Sequence, residues 1–151
     1  MDFVEDRLDH PAVQALLAEH LEQMRAQTPP GSVHALDLDG LHGADITFWS
    51  AWRDAELLGC GALKDLGERH GEIKSMRTSA AHRREGVASG MLAHLVAEAR
   101  THGFGRLSLE TGRGAEFAAA HALYARFGFG ECAPFGAYAP DPLSVFLTRE
   151  L

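Results

Sequence analysis

Between Pro11 and Met24 the apolar residues Val13, Leu16, Leu17, Leu21 and Met24 return every three or four positions, the spacing of one helix face. Asp9 stands where a cap belongs and Pro11 suits a first turn, so an amphipathic helix over 11–24 is predicted. Thr28-Pro29-Pro30-Gly31 ends it, because proline lacks the N–H a helix interior needs, and an irregular segment follows through Gly43. The period then changes. Ile46–Trp52 and Leu57–Leu63, rich in β-branched, aromatic and small apolar residues, read as an antiparallel pair around the turn at Arg53-Asp54. Glu72–Thr78 is a third strand after the breakers Gly67 and Gly71. From Gly86 to His102, Val87, Met91, Leu92, Leu95, Val96 and Ala99 form a second helix stripe, stopped by Gly103. Arg106–Thr111 reads as a strand, Phe117–Phe127 as a helix, and Phe129–Phe135 and Ser144–Leu151 as two last strands around Pro140-Asp141-Pro142.

The order is strand, helix, several antiparallel strands, helix, strand, helix, strand, strand. Such an order predicts an α/β (α+β) domain with a mixed, mainly antiparallel sheet and helices packed on it. At 151 residues the chain suits one domain spanning 1–151, and it shows neither an internal repeat nor a low-complexity linker.

Composition narrows the function. A net charge of −7 disfavours broad contact with a phosphate backbone, so no nucleic acid partner is expected. No apolar run approaches the roughly 20 residues that span a bilayer, and the start Met1-Asp2-Phe3-Val4-Glu5-Asp6 lacks the basic and apolar regions of a secretory leader; no membrane association and a cytoplasmic location are expected. Cys60 and Cys132 are too few for a disulfide framework and read as buried thiols. Nine histidines are scattered without the close spacing of a metal site, so no metal is expected.

The informative stretch is His82-Arg83-Arg84-Glu85-Gly86-Val87-Ala88-Ser89-Gly90, at the passage from strand to helix. A helix start presents orphan N–H groups, Gly86 adopts backbone angles closed to other residues, Ala88 keeps the first turn open, and Arg83 and Arg84 bring positive charge. The chemistry suits a pyrophosphate. The stretch is neither a P-loop, lacking Gly-Lys-Ser or Gly-Lys-Thr, nor a G-x-G-x-x-G fingerprint.

Arg83-Arg84-Glu85-Gly86-Val87-Ala88 resembles the Q/R-x-x-G-x-G/A signature of the GNAT acyltransferases, and Ala120–Phe129 is similar to their A-x-x-L-Y-x-x-x-G-F segment. The two motifs stand a helix and a strand apart, and the resemblance extends from Trp49 to the C-terminus. It implies an acetyl-CoA-dependent N-acetyltransferase acting on a primary amine of a small molecule or peptide by direct attack in a ternary complex. The alternatives are a catalytically silent CoA-binding sensor and an O-acyltransferase. Arg83, Arg84, Gly86, Val87, Ala88 and Ser89 are then expected to cradle the pyrophosphate, and backbone groups of Met76, Arg77 and Thr78 to receive the acetyl and pantetheine arm. The strands carrying Met76 and Leu109 are expected to splay apart. The resemblance also leaves room for a homodimer. One departure is Phe117, where many members carry an asparagine that helps hold the cofactor.

Acetyl transfer needs an unprotonated amine, a donor for the developing oxyanion and a proton for the thiolate. Tyr124 matches the family position that serves the thiolate. Glu72, placed on one strand face with Lys74, Met76 and Thr78, and Glu110, near the end of the next strand, are the two candidate bases, with a water chain as the alternative to both. Phe48, Trp49 and Trp52 either wall the acceptor pocket or join the core. His34 and His82 sit in loops, His82 within reach of the expected phosphates.

Overall fold

An amphipathic helix and a run of β-rich segments bury their apolar faces together only if the helix lies across a sheet. The computed structural model describes residues 1–151 and does this twice, once on each sheet face. In chain order it holds β1 (Asp2–Glu5), α1 (Pro11–Gln27), α2 (Leu38–Leu41), β2 (Ile46–Arg53), β3 (Glu56–Asp65), β4 (His70–Thr78), α3 (Val87–Thr101), β5 (Arg106–Gly112), α4 (Ala118–Arg126), β6 (Gly130–Glu131) and β7 (Ser144–Glu150). The strands form a seven-stranded sheet of order β1-β2-β3-β4-β5-β7-β6. All neighbours run antiparallel except β4 and β5, which are parallel. The mixed, mainly antiparallel sheet predicted from the strand order is therefore present.

Alternation along the strands sorts the core into two layers. Phe48, Cys60 and Ala62 face α1 and pack with Val13, Leu16, Leu17 and Leu41. Trp49, Leu63 and Ile73 face the other way, onto Met91, Leu92 and Leu95 of α3 and Leu123 of α4. Leu92 and Leu95 are fully buried, each contributing roughly 1.5–3 kcal/mol. Phe48 and Trp49 are thus core residues, and Trp52 packs against the α1 layer while its Nε1 donates to Ser50 Oγ at 2.8 Å.

Several local expectations need correction. The α1 cap is His10, whose Nδ1 accepts from the Ala12 N–H at 3.1 Å, so Asp9 does not fill that role. The helix continues to Gln27 and stops where Thr28, in front of Pro29, turns extended. The segment through Gly43 contains the single-turn α2, capped by Asp37 Oδ1 accepting from Gly40 N–H at 2.8 Å. The strand expected over 129–135 shrinks to Gly130–Glu131, because Pro134 has no N–H to donate and left-handed Gly136 (φ 57°) turns the chain away. Cys60 is buried as expected, but Cys132 is only half-buried.

Two irregularities of β4 open the molecule. Ser75 sits at φ 53°, and the β3 register slips there, from Cys60↔Arg77 to Ala62↔Lys74, which leaves one extra residue on β4: a bulge. Side-chain alternation breaks with it. Glu72 and Lys74 share the α1 face as predicted, but beyond the bulge Met76 packs on the α3 layer and Arg77 takes the α1 side, bonding Glu19. Glu72 therefore shares a face with neither Met76 nor Thr78, whose β3 partner Gly59 faces Val87 of α3. The second irregularity is that β4 and β5 pair only at His70↔Arg106, Gly71↔Leu107 and Glu72↔Ser108. Beyond these pairs the strands splay apart, and backbone N–H and C=O groups on the facing edges of Ile73–Thr78 and Leu109–Gly112 lack a strand partner.

Candidate active site

The splayed strands form the floor of a cleft of about 410 Å³. It passes between α1 and the loop at 32–35 on one side and α4 on the other, and Arg83 stands at the rim. Among the residues singled out from the sequence, Glu72, Met76, Arg77, Thr78, Arg83, Glu110 and Tyr124 line it. Arg84, Gly86, Val87, Ala88 and Ser89 lie beside it, in the loop and first turn that follow Arg83.

That loop is built by backbone conformation. Arg84 (φ 63°) and Gly86 (φ 80°) both adopt left-handed angles, which turn the chain abruptly into α3. No side chain caps the helix, and the first intrahelical bond runs from Gly90 N–H to Gly86 C=O at 2.9 Å. The amides of Val87, Ala88 and Ser89 thus open the helix with no intrahelical acceptor, an arrangement that favours an anion. Val87 offers only its amide, since its side chain is 2% exposed and packed in the α3 layer. His82 does not reach toward a phosphate. It is buried, with Nε2 2.9 Å from Glu56 Oε1 and Nδ1 2.9 Å from Glu85 Oε2, and so braces the base of the loop.

The two candidate bases sit in different surroundings. Glu72 is 3% exposed, accepts from Tyr138 Oη at 2.6 Å and from Lys74 Nζ at 3.2 Å, and is locked in place. Lys74 Nζ also meets Tyr138 Oη at 2.9 Å and the His34 carbonyl at 3.4 Å. Glu72, Tyr138 and Lys74 form a closed triangle whose charges cancel. Burial and the neighbouring Glu72 carboxylate together hold the Tyr138 phenol far above its usual range, fully protonated. Glu110 is less engaged, accepting only from Ser144 Oγ at 2.8 Å, and burial raises its carboxyl above the ordinary range against the opposing pull of that hydrogen bond. Tyr124 is 7% exposed; burial, and then the negative charge of Glu110, pushes its phenol up to about 12.

Phe117 supplies packing where a polar side chain was the family expectation. Its ring lies so close to Gly112 that any Cβ there would overlap it. Sequence reasoning missed Tyr138 and Lys74 as site residues. Tyr138 follows a turn in a Pro- and Gly-containing segment with no periodicity to mark it; Lys74, two residues after Glu72 on one strand, carried a legible sign, since opposite charges at that spacing share a face. His20 and Ser75 were also missed, and His34, noted only as a loop residue, faces the cleft.

The family model for the acetyltransferase (GNAT) family matches residues 13–129. The chain belongs to this family. It is similar to the uncharacterised N-acetyltransferase YsnE of Bacillus subtilis (strain 168), 56% identical over 146 residues and covering 97% of each chain. Among solved structures it is similar to one from Klebsiella pneumoniae classed with the acyl-CoA N-acyltransferases, at 29% identity and a TM-score of 0.79, covering 99% of this chain and 97% of that one. A GNAT family acetyltransferase from Elizabethkingia anophelis, crystallised with acetyl-CoA bound, shares the fold at 18% identity and a TM-score of 0.70, over 99% and 97% of the two chains. As a GNAT protein the chain is an acyltransferase enzyme, and the splayed β4 and β5 form the cleft at the centre of its fold. No group of His, Cys, Asp or Glu is arranged to hold a metal ion. No helix is long and apolar enough to cross a membrane.

Proposed function

We propose that the protein transfers the acetyl group of acetyl-CoA to a primary amine, with Glu110 as the base and Tyr124 as the donor to the departing sulfur. The observation that carries this reading is the cleft itself. Its strand edges lack partners that a pantetheine amide supplies, it leads at Arg83 to an uncapped helix start suited to pyrophosphate, and it holds a raised carboxyl and a protonated phenol. Met76, Arg77 and Thr78 contribute backbone to the acyl arm, while Arg83, Arg84, Gly86 and the amides of Val87, Ala88 and Ser89 hold the phosphates. Acetyl-CoA supplies the thioester acetyl. The amine reaches the cleft from the α1 side, where His20, Gln23 and Met24 line it.

The amine nitrogen bonds to the carbonyl carbon, the C–S bond breaks, its electron pair stays on sulfur, the proton of the amine passes to Glu110 and the Tyr124 hydroxyl donates to sulfur. Glu110 suits the base because burial makes it a stronger proton acceptor than an ordinary carboxylate. Glu72 does not, because taking a proton would break its contact with Lys74 and leave the ammonium buried without a counter-charge. A phenol near 12 lies well above a thiol's ordinary value of about 8.5, so Tyr124 serves chiefly by hydrogen bonding to the thiolate. The two groups assist each other: once Glu110 takes a proton its charge vanishes, and one cause of the raised Tyr124 value vanishes with it.

The test is calorimetric titration with acetyl-CoA, followed by a thiol-release screen of amines. Tight acetyl-CoA binding with amine-dependent thiol release supports the reading. No binding of acetyl-CoA by folded protein overturns it.

A further inference from the structure

Buried polar side-chain atoms almost always find a partner, so those that do not point to something absent. Five make no hydrogen bond, His20 Nδ1, His34 Nε2, Ser75 Oγ, Arg77 Nε and His94 Nε2, although His34 Nε2 lies 3.5 Å from Asp141 Oδ2 and His94 Nε2 4.0 Å from Glu98 Oε1. All but His94 belong to residues that line the cleft, His20 on α1, His34 in the loop at 32–35, and Ser75 and Arg77 on β4. Arg77 is the most telling of them. Its side chain is 9% exposed, its Nη2 donates to Glu19 Oε1 at 2.9 Å, and its Nε–H, which can only donate, is buried without an acceptor. The counter-charge is weak, for Glu19 is 53% exposed and touches a single guanidinium nitrogen. Lys74, the other buried cation here, has its charge met by Glu72 at 3.2 Å.

We propose that the acceptor is an amine that also bears a carboxylate, the carboxylate docking at the Arg77 guanidinium on the α1 side of the cleft in exchange for the exposed Glu19, while the amine lies toward Glu110; this rests on the acetyl-transfer reading above. A carboxylate is acceptor-only and carries the charge that Arg77 lacks, and charge-assisted bonds of this kind are the stronger ones. Ser75 and His20 line the same cleft, whereas His34 Nε2 is turned to Asp141 Oδ2 at 3.5 Å. Burial, and then the charge of Arg77, lowers the His20 imidazole to about 4, so it stays neutral and can donate or accept without adding charge. The side chain of Arg77 is turned toward α1 by the bulge at Ser75, which leaves its backbone for the acyl arm.

The experiment compares matched pairs of amines, L-leucine with 3-methylbutylamine and L-phenylalanine with 2-phenylethylamine, on the acetyl-CoA-loaded enzyme. Thiol release gives kcat/KM, and calorimetry with CoA-loaded enzyme gives binding. The expected result is a preference of at least about 10-fold for each carboxylate member in kcat/KM, carried by KM, which collapses toward unity in Arg77→Gln and is partly restored in Arg77→Lys. Equal use of both members by the wild type overturns the proposal and leaves the acetyl-transfer reading intact. So does retention of the full preference by Arg77→Gln. If neither carboxylate amine is acetylated or bound while acetyl-CoA still binds, the carboxylate assignment fails by itself; loss of acetyl-CoA binding in wild type is the separate failure of the functional reading.

Discussion

Gly86 offers a perturbation whose cost follows from its backbone. At φ 80° and ψ 10° it is left-handed, and a Cβ built there meets no atom within 4 Å. Alanine would therefore clash with nothing. The penalty is conformational, about 1–2 kcal/mol for an L-residue in this region. For a domain of this size each kcal/mol moves Tm by about 2–4 °C, so Gly86→Ala should lower Tm by roughly 2–8 °C. Relaxing toward ordinary angles also swings the amides of Val87, Ala88 and Ser89, and losing one charge-assisted bond of about 1.5–3 kcal/mol weakens acetyl-CoA by roughly 10–150-fold. Gly86→Asn separates the two causes, because asparagine tolerates left-handed angles: it should recover most of the lost Tm and much of the affinity. Gly86→Glu, which sets a negative charge against the phosphates, should bind worst. Thermal melts and calorimetry read all three variants. A Gly86→Ala variant that melts and binds like wild type would refute the argument for the loop; one that loses stability yet keeps its affinity would show that the phosphates lie elsewhere.

Arg83→Ala should weaken acetyl-CoA by about 1.5–3 kcal/mol, with a smaller difference at high salt, as followed by calorimetry across ionic strength. Glu110→Gln should lower kcat/KM by about 10²–10⁴-fold and erase an acid limb that in wild type lies above the ordinary carboxylate range, because the base must be ionised and burial raises its value. The same shift has a stability sign: the folded chain holds this proton more tightly than the unfolded chain, so wild-type stability falls as pH rises through the raised value and that fall disappears in Glu110→Gln, which denaturant melts across pH would show. Glu72→Gln should cost about 3 kcal/mol by stranding Lys74, read as a drop in denaturation midpoint; an unchanged midpoint would mean that the triangle with Tyr138 does not hold the cleft floor together.

The mixed, mainly antiparallel sheet, three of the helices and the loop at Arg83–Ser89 were legible because periodicity, breakers and the two motifs all act locally. What was hidden depends on contacts between distant segments. The bulge at Ser75 carries no glycine to announce it, yet it moves Met76 and Arg77 to faces that simple alternation does not give. Tyr138 reaches Glu72 across 66 positions of sequence, out of a segment whose prolines and glycines signal only a turn. Glu72 and Glu110 looked alike as strand carboxylates, and only their partners, a buried lysine and tyrosine for one and a serine hydroxyl for the other, set them apart. His82 lay in the right loop for a phosphate but is claimed by Glu56 and Glu85.

The central claim is that the cleft between β4 and β5 performs transfer as well as binding, and Tyr124→Phe separates the two. Phenylalanine keeps the ring within the α4 packing and removes only the hydroxyl. Charge on sulfur develops in the transition state, so the donor contributes little to the bound ground state. With acetyl-CoA and an amine from the screen, the variant should retain the wild-type Kd for acetyl-CoA and lose about 10–10⁴-fold in kcat. An unchanged kcat with intact binding would contradict the account.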